Sequence, residues 1–137
     1  MIMNTGGNAG SQASVSIIRA ISLDEVNFKD IFRVMWKEFR VSIICGIVLS
    51  VANFIKVMLL DFHGTPFEEA LPIALVVSVT MLATVIIAKL IGCLLPLLAD
   101  KIGFDPAVMA SPMITTIVDA LALLVYFQSA SIILAGL

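Results

Sequence analysis

Three stretches of this chain, 41–60, 70–99 and 106–137, are long, apolar and nearly free of charge. A hydrocarbon core about 30 Å thick takes about 20 apolar residues of helix to cross, so each stretch is long enough to span a bilayer. Of the 137 residues, 61% are hydrophobic and only 13% charged, far from the composition of soluble domains. The reading is an all-α integral membrane protein, a polytopic transmembrane helical bundle, located in the cell membrane (plasma or inner membrane). The uncharged opening, 1–18, could supply a fourth, shorter span. It is not a signal peptide, because it lacks a basic start and its centre is Gly, Asn, Ser and Gln rather than an apolar run.

The net charge of -2 decides little, but the distribution of charge is informative. Arg19, Lys29, Arg33, Lys37 and Arg40 cluster between the first and second apolar segments, whereas 61–69 has no Lys or Arg. By the positive-inside rule the first connection and the one near Lys101 face the cytoplasm. The His63 loop and the C-terminus then face outward.

Cys45 and Cys93 fall inside expected spans without a CxxC spacing and read as small apolar packing residues. His63, in the turn His63-Gly64-Thr65-Pro66, reads as a solvated loop residue. There is no nucleophile-base arrangement, no phosphate-cradling loop after a strand and no His-rich metal motif, so an enzyme is not expected, and neither catalytic nor cofactor-binding residues are assigned. The few basic residues are mixed with acids, which argues against nucleic-acid binding.

The opening stretch carries Gly6, Gly7, Ala9, Gly10, Ser11, Ala13 and Ser14, with Asn8 and Gln12 between them. Gly6 and Gly10 have the spacing of a helix-packing motif in membranes. Two readings stand: close packing of helices, or a polar lining from Asn8, Ser11 and Gln12 along a narrow water-filled path. From Asn27, a plausible N-cap, the residues Phe28, Ile31, Phe32, Met35, Trp36 and Phe39 recur at helical spacing opposite Lys29, Asp30, Arg33 and Lys37. That pattern predicts an amphipathic interfacial helix over 27–40 with Trp36 at headgroup depth. In the following span, Asn53 and Lys56 are polar, and Lys56 can snorkel to the outer interface. Lys89 lies deeper in its own span. It can snorkel inward or pair with a buried carboxylate.

The last span begins with Asp105-Pro106, an N-cap followed by proline. Pro112 cannot donate to the carbonyl of Val108 and predicts a kink. Ser111, Thr115 and Asp119 follow at steps of four and share one face. Asp119 is the only charged residue in 106–137. A carboxylate inside a membrane span is costly and marks function by default. It can bind a cation, relay a proton, or pair with a residue such as Lys89. Two copies of Asp119 meeting on a two-fold axis would balance a divalent ion; magnesium, which keeps its waters, is compatible with a site of few charges, and calcium, manganese and protons stay open on this chemistry alone.

The blocks Asn4-Thr5-Gly6-Gly7-Asn8-Ala9-Gly10-Ser11-Gln12-Ala13-Ser14, Ile18-Arg19-Ala20, Asp105-Pro106-Ala107 and Ser111-Pro112-Met113-Ile114-Thr115-Thr116-Ile117-Val118-Asp119 together resemble the membrane domain of the MgtE family of magnesium channels and transporters. The resemblance implies one membrane domain over 1–137. It assigns 1–22 to the remainder of the second helix, 27–40 to the interfacial helix, and 41–60, 70–99 and 106–137 to spans. It implies a homodimer in the lipid bilayer with a pore on the two-fold axis, lined by the family's second and fifth helices, and Mg2+ as the transported ion. Asp119 matches the acidic position that binds hydrated magnesium; Ser111 and Thr115 match other pore-facing positions, and Asn8 and Ser11 match the pore-lining part of the second helix. Ser11 stands where some members have asparagine. By the same resemblance, the family's first helix and its cytoplasmic N-terminal and CBS domains are absent from this chain. The expected function is passage of hydrated magnesium through a dimeric pore. The alternatives are a proton- or sodium-coupled secondary transporter and a non-conducting membrane module in which Asp119 pairs with Lys89.

Overall fold

The computed structural model describes residues 1–64, 66–109 and 112–135. Among these residues, four helices make an all-α bundle: α1 (Ile2–Ser22), α2 (Ile31–Lys56), α3 (Phe67–Lys101) and α4 (Pro112–Ala135). Three of the described segments are long and apolar enough to cross a membrane, namely Phe28–Asp61, Phe67–Lys101 and Pro112–Ile133. The chain is a multi-pass membrane protein. Helix α1 has 21 residues, about 32 Å at 1.5 Å per residue, but its Asn, Gln and Ser content keeps it out of that set.

The turns follow from local chemistry. Both α1 and α3 end in a Schellman motif, which satisfies carbonyls left without partners at a helix C-terminus. After α1, Glu25 N–H donates to the Ala20 carbonyl at 3.0 Å and Asp24 N–H to Ile21 at 3.0 Å. After α3, Phe104 N–H reaches Ala99 at 2.9 Å and Gly103 N–H reaches Asp100 at 3.1 Å. Gly103 holds the left-handed position at φ 80°, and Asp24 holds the equivalent one at φ 54°. Asn27 then caps a 3-10 turn over Phe28–Asp30: its side chain accepts from Lys29 N–H at 3.1 Å, and Asp30 accepts from the Asn27 N–H at 3.3 Å.

That turn leads directly into α2, so the amphipathic stretch and the apolar one form a single continuous helix. The apolar side of 27–40 divides in two. Phe28, Ile31 and Met35 pack against a core of Ala13, Ile17, Val34, Cys93 and Leu97, while Phe32 is 86% exposed and Trp36 61%. Only the second group is placed to meet headgroups. At its far end α2 closes with a π-helical turn, Val57–Asp61. Lys56, free to snorkel on the sequence reading, bonds Asp61 across this turn at 2.6 Å.

Helix α3 is central and touches the other three. It runs parallel to α1, with Gly6 beside Thr84 and Gly10 beside Ala88 and Gly92. It runs antiparallel to α2: Gly46 faces Leu82, and Ser50 Oγ donates to the Ser78 carbonyl at 2.7 Å. Helix α4 crosses antiparallel to α1, with Val118 near Gly6 and Ile114 near Gly10. A second small core of Ala88, Ile114 and Val118 holds it there.

The one-helix reading of 106–137 differs from what the structure contains. Pro106–Met109 is a separate 3-10 turn, in which Asp105 Oδ1 accepts from Ala107 N–H at 2.9 Å, and α4 starts at Pro112. Pro106, with no N–H to donate, opens this turn, and the kink expected at Pro112 falls beside residues 110 and 111, outside the described residues. Asp119 consequently lies seven residues into α4, about 10 Å from its start, rather than deep in a helix begun at Pro106.

Candidate functional site

The small residues and the polar residues of α1 lie on different sides of the helix. Gly6, Gly7, Gly10, Ala13, Ser14 and Ile17 are buried. Asn4, Asn8 and Gln12, at successive steps of four, are exposed. The close-packing reading therefore holds for one face of this helix, and the other face is polar and exposed. Backbone approach is closest where Gly92 of α3 meets Gly10, since a Cβ on Gly92 would lie 2.9 Å from the Gly10 carbonyl carbon. With hydrogen there instead, Cα–H of Gly92 points toward the Gly10 carbonyl oxygen, a weak contact typical of close helix pairs.

The seam between α1 and α4 brings together part of the candidate set. Thr115 lies against Gly7, with a Cβ there only 3.2 Å from Thr115 Cγ2, at about the level of Asn8 along the helix. The antiparallel register then sets Asp119, one turn further along α4, level with Asn4 in the first turn of α1. Asp119 is half-buried next to fully buried Val118. Ser11 is also half-buried, and Ser111 lies outside the described residues. Asn4 is a member of this face that the spacing argument did not single out. Its signal was the step of four to Asn8.

Local hydrogen bonds decide which polar groups the seam presents. Thr115 Oγ1 donates to the Pro112 carbonyl at 3.0 Å and Thr116 Oγ1 to the same carbonyl at 2.9 Å. A hydroxyl has one proton to give, so both oxygens are left with only lone pairs to offer. Asn8 Nδ2 donates to Asn4 Oδ1 in a long bond of 3.5 Å, and the exposed Asn4 and Asn8 amides keep further N–H donors beside the Asn8 oxygen. The threonine oxygens and the Asp119 carboxylate add acceptors to this mixed polar face. It can meet the waters around a cation.

Lys89 does not pair with Asp119. It bonds Glu38 of α2 at 3.0 Å, with both side chains only 13% and 14% exposed, which overturns the ion pair considered from sequence. Glu38 was missed because it sits in a basic cluster, where it reads as a solvated neighbour of Lys37. Among the described residues Asp119 makes no hydrogen bond or ion pair. Nor do three His, Cys, Asp or Glu side chains converge anywhere among them, so one chain brings a single carboxylate to the seam.

The family model named MgtE, a divalent cation transporter, matches residues 1–129. The chain belongs to the MgtE family. Among curated MgtE relatives, the magnesium transporter MgtE of Bacillus subtilis is 35% identical over 131 residues, covering 96% of this chain and 28% of the relative. The magnesium transporter MgtE of Thermus thermophilus is 35% identical over 134 residues, 98% of this chain and 28% of its own length. That of Enterococcus faecalis is 33% identical over 131 residues, 96% of this chain and 27% of the relative. The chain thus spans a little over a quarter of the MgtE proteins it matches, and the match runs through both α1 and most of α4.

Proposed function

We propose that this chain is the ion-conducting part of a magnesium transporter, and that hydrated Mg2+ is the substrate, crossing in a pore built by two copies around a two-fold axis. The observation that supports the reading is the state of Asp119, which is half-buried and, among the described residues, has no counter-charge, Lys89 being bound to Glu38. A carboxylate so placed needs water or a cation to offset its desolvation. The magnesium transport named for the relatives supports the choice of ion.

One Asp119 per chain gives two negative charges in a dimer, matching one divalent ion. Magnesium loses its waters reluctantly and commonly touches only one or two carboxylates. Its bound waters turn their hydrogens outward, and Asn8 Oδ1, Thr115 Oγ1 and the half-buried Ser11 are the groups to receive them. Ser111 joins them on sequence grounds.

The test is magnesium uptake into proteoliposomes by the protein and by Asp119→Ala, with folding and dimerisation of the two compared by size and thermal unfolding. Uptake should fall at least about tenfold, equivalent to about 1.4 kcal/mol at the ion's position, and Asp119→Asn should fall between. Equal uptake by Asp119→Ala would sink the assignment. Uptake driven by a pH or sodium gradient and indifferent to the magnesium gradient would favour a coupled transporter instead.

A further inference from the structure

At the end of the bundle that carries the α1–α2 turn, the first turns of α2 sort their charges by face. Arg33, Lys37 and Arg40 are exposed, as are Phe32 and Trp36. At steps of three and four, Arg33, Trp36, Lys37 and Arg40 share one side of the helix. The two acids of the same stretch are engaged elsewhere: Glu38 bonds Lys89 at 3.0 Å, and Asp30 accepts from the Asn27 N–H at 3.3 Å. Among the described residues the ion pairs are Lys89–Glu38 and Lys56–Asp61, so none of the three exposed cations has a carboxylate partner. Arg33 and Lys37 also border a cleft of about 340 Å³, but Glu25, Asp30 and Glu38 line it too, and such mixed charge selects no anion. Trp36 and Arg40 lie outside that cleft. On their side the face holds cations and aromatic rings without an acid.

We propose that this face holds an anionic phospholipid, its phosphate among Arg33, Lys37 and Arg40 and its glycerol end against Trp36. Helical side chains lean toward the N-terminal end of their helix. Lys37 and Arg40 therefore reach back toward the level of Arg33 and Trp36, and the three cations serve one depth. Tryptophan settles at headgroup depth because its ring is apolar and its N–H polar. Trp36 is also stacked on Phe39, with 5.9 Å between ring centroids, which sets a flat apolar wall beside the cations. Guanidinium pairs with phosphate through two parallel hydrogen bonds, and each basic residue near an anionic surface strengthens attachment about fivefold. A zwitterionic lipid gains less, because its own ammonium is repelled by the same three cations.

Trp36 is the chain's only tryptophan, so its fluorescence reports the lipid beside it. The experiment places the protein in bilayers of phosphatidylcholine and phosphatidylglycerol in equal parts, with bromine near the glycerol end of the acyl chains on one lipid or the other. Quenching should show phosphatidylglycerol enriched several-fold beside Trp36, and the enrichment should shrink at high salt as screening sets in. Arg33→Gln with Arg40→Gln should lose most of it. Arg19→Gln with Lys101→Gln removes the same charge from exposed positions off this face, Lys101 lying at the same end over the Phe28 ring, and should keep the enrichment. The comparison of the two brominated lipids in the parent needs no variant. Equal quenching by both would overturn the proposal and leave the face to an acidic segment of another protein. An equal loss in the two double variants would also overturn it, since net charge would then attract the lipid without a site.

Discussion

Gly92→Ala should separate α1 from the bundle. The added Cβ would run into the Gly10 carbonyl oxygen and lie 2.9 Å from its carbon and 3.1 Å from its Cα. All three are backbone atoms, so no rotamer change relieves the clash. Moving α1 away is equally expensive, because Gly10 also lies against the Ala88 carbonyl and Ile114, and a shift from α3 disturbs the α4 seam. Overpacking usually costs about 1–3 kcal/mol, and this case belongs at or beyond the upper end. Against a total stability of about 5–15 kcal/mol, that is a large fraction. The built-in control is Gly46→Ala, whose Cβ would meet Leu82 Cδ1 at 2.7 Å. That atom ends a flexible side chain, and alanine gains about 1 kcal/mol in helix propensity, so the change should be near neutral. Unfolding of the two variants in matched micelles decides the point, and comparable stabilities would refute the close α1–α3 contact.

Lys89→Met is the second large loss. Removing one member of a buried pair strands the other charge at a cost of about 3–5 kcal/mol. The residual exposure of Lys89 and Glu38, 13% and 14%, puts the expected value near the lower end, about 3 kcal/mol. Glu38→Gln combined with Lys89→Met should recover most of the loss, because a neutral amide is far cheaper to bury than an unpaired carboxylate. It should also leave magnesium uptake close to that of the parent, since neither residue borders Asp119. A double variant as unstable as the single one would show that Lys89 serves in packing rather than in charge balance. Loss of uptake in a well-folded double variant would connect the pair to conduction.

The all-α class and the apolar segments were legible because membrane spans carry the strongest pattern a sequence can hold, a long run of apolar residues. Asp119 stood out for the same reason, as one charge against a uniform background. Asn27 was legible as a cap because capping is decided by neighbours a few residues away. The partnership of Lys89 with Glu38 was not, because the two are 51 residues apart and nothing in either local pattern names the other. The 3-10 turn Pro106–Met109 was not legible, because whether a stretch opened by proline winds as an α-helix or a tighter turn depends on how the chain leaves Gly103. The division of α1 into a packed face and an open face needed both α3 and α4 in place before it could be seen.

Helix α1 has its closest partner, α3, far along the chain, with Gly10 meeting Gly92. A ribosome adding roughly 5–20 residues per second delivers that partner several seconds after α1 has emerged. During the delay α1, with its Asn, Gln and Ser side chains and bare glycines, has little hydrophobicity to hold it in lipid. Of the four helices, the first to be made therefore completes its packing only when the third arrives, and its glycine face waits on α3.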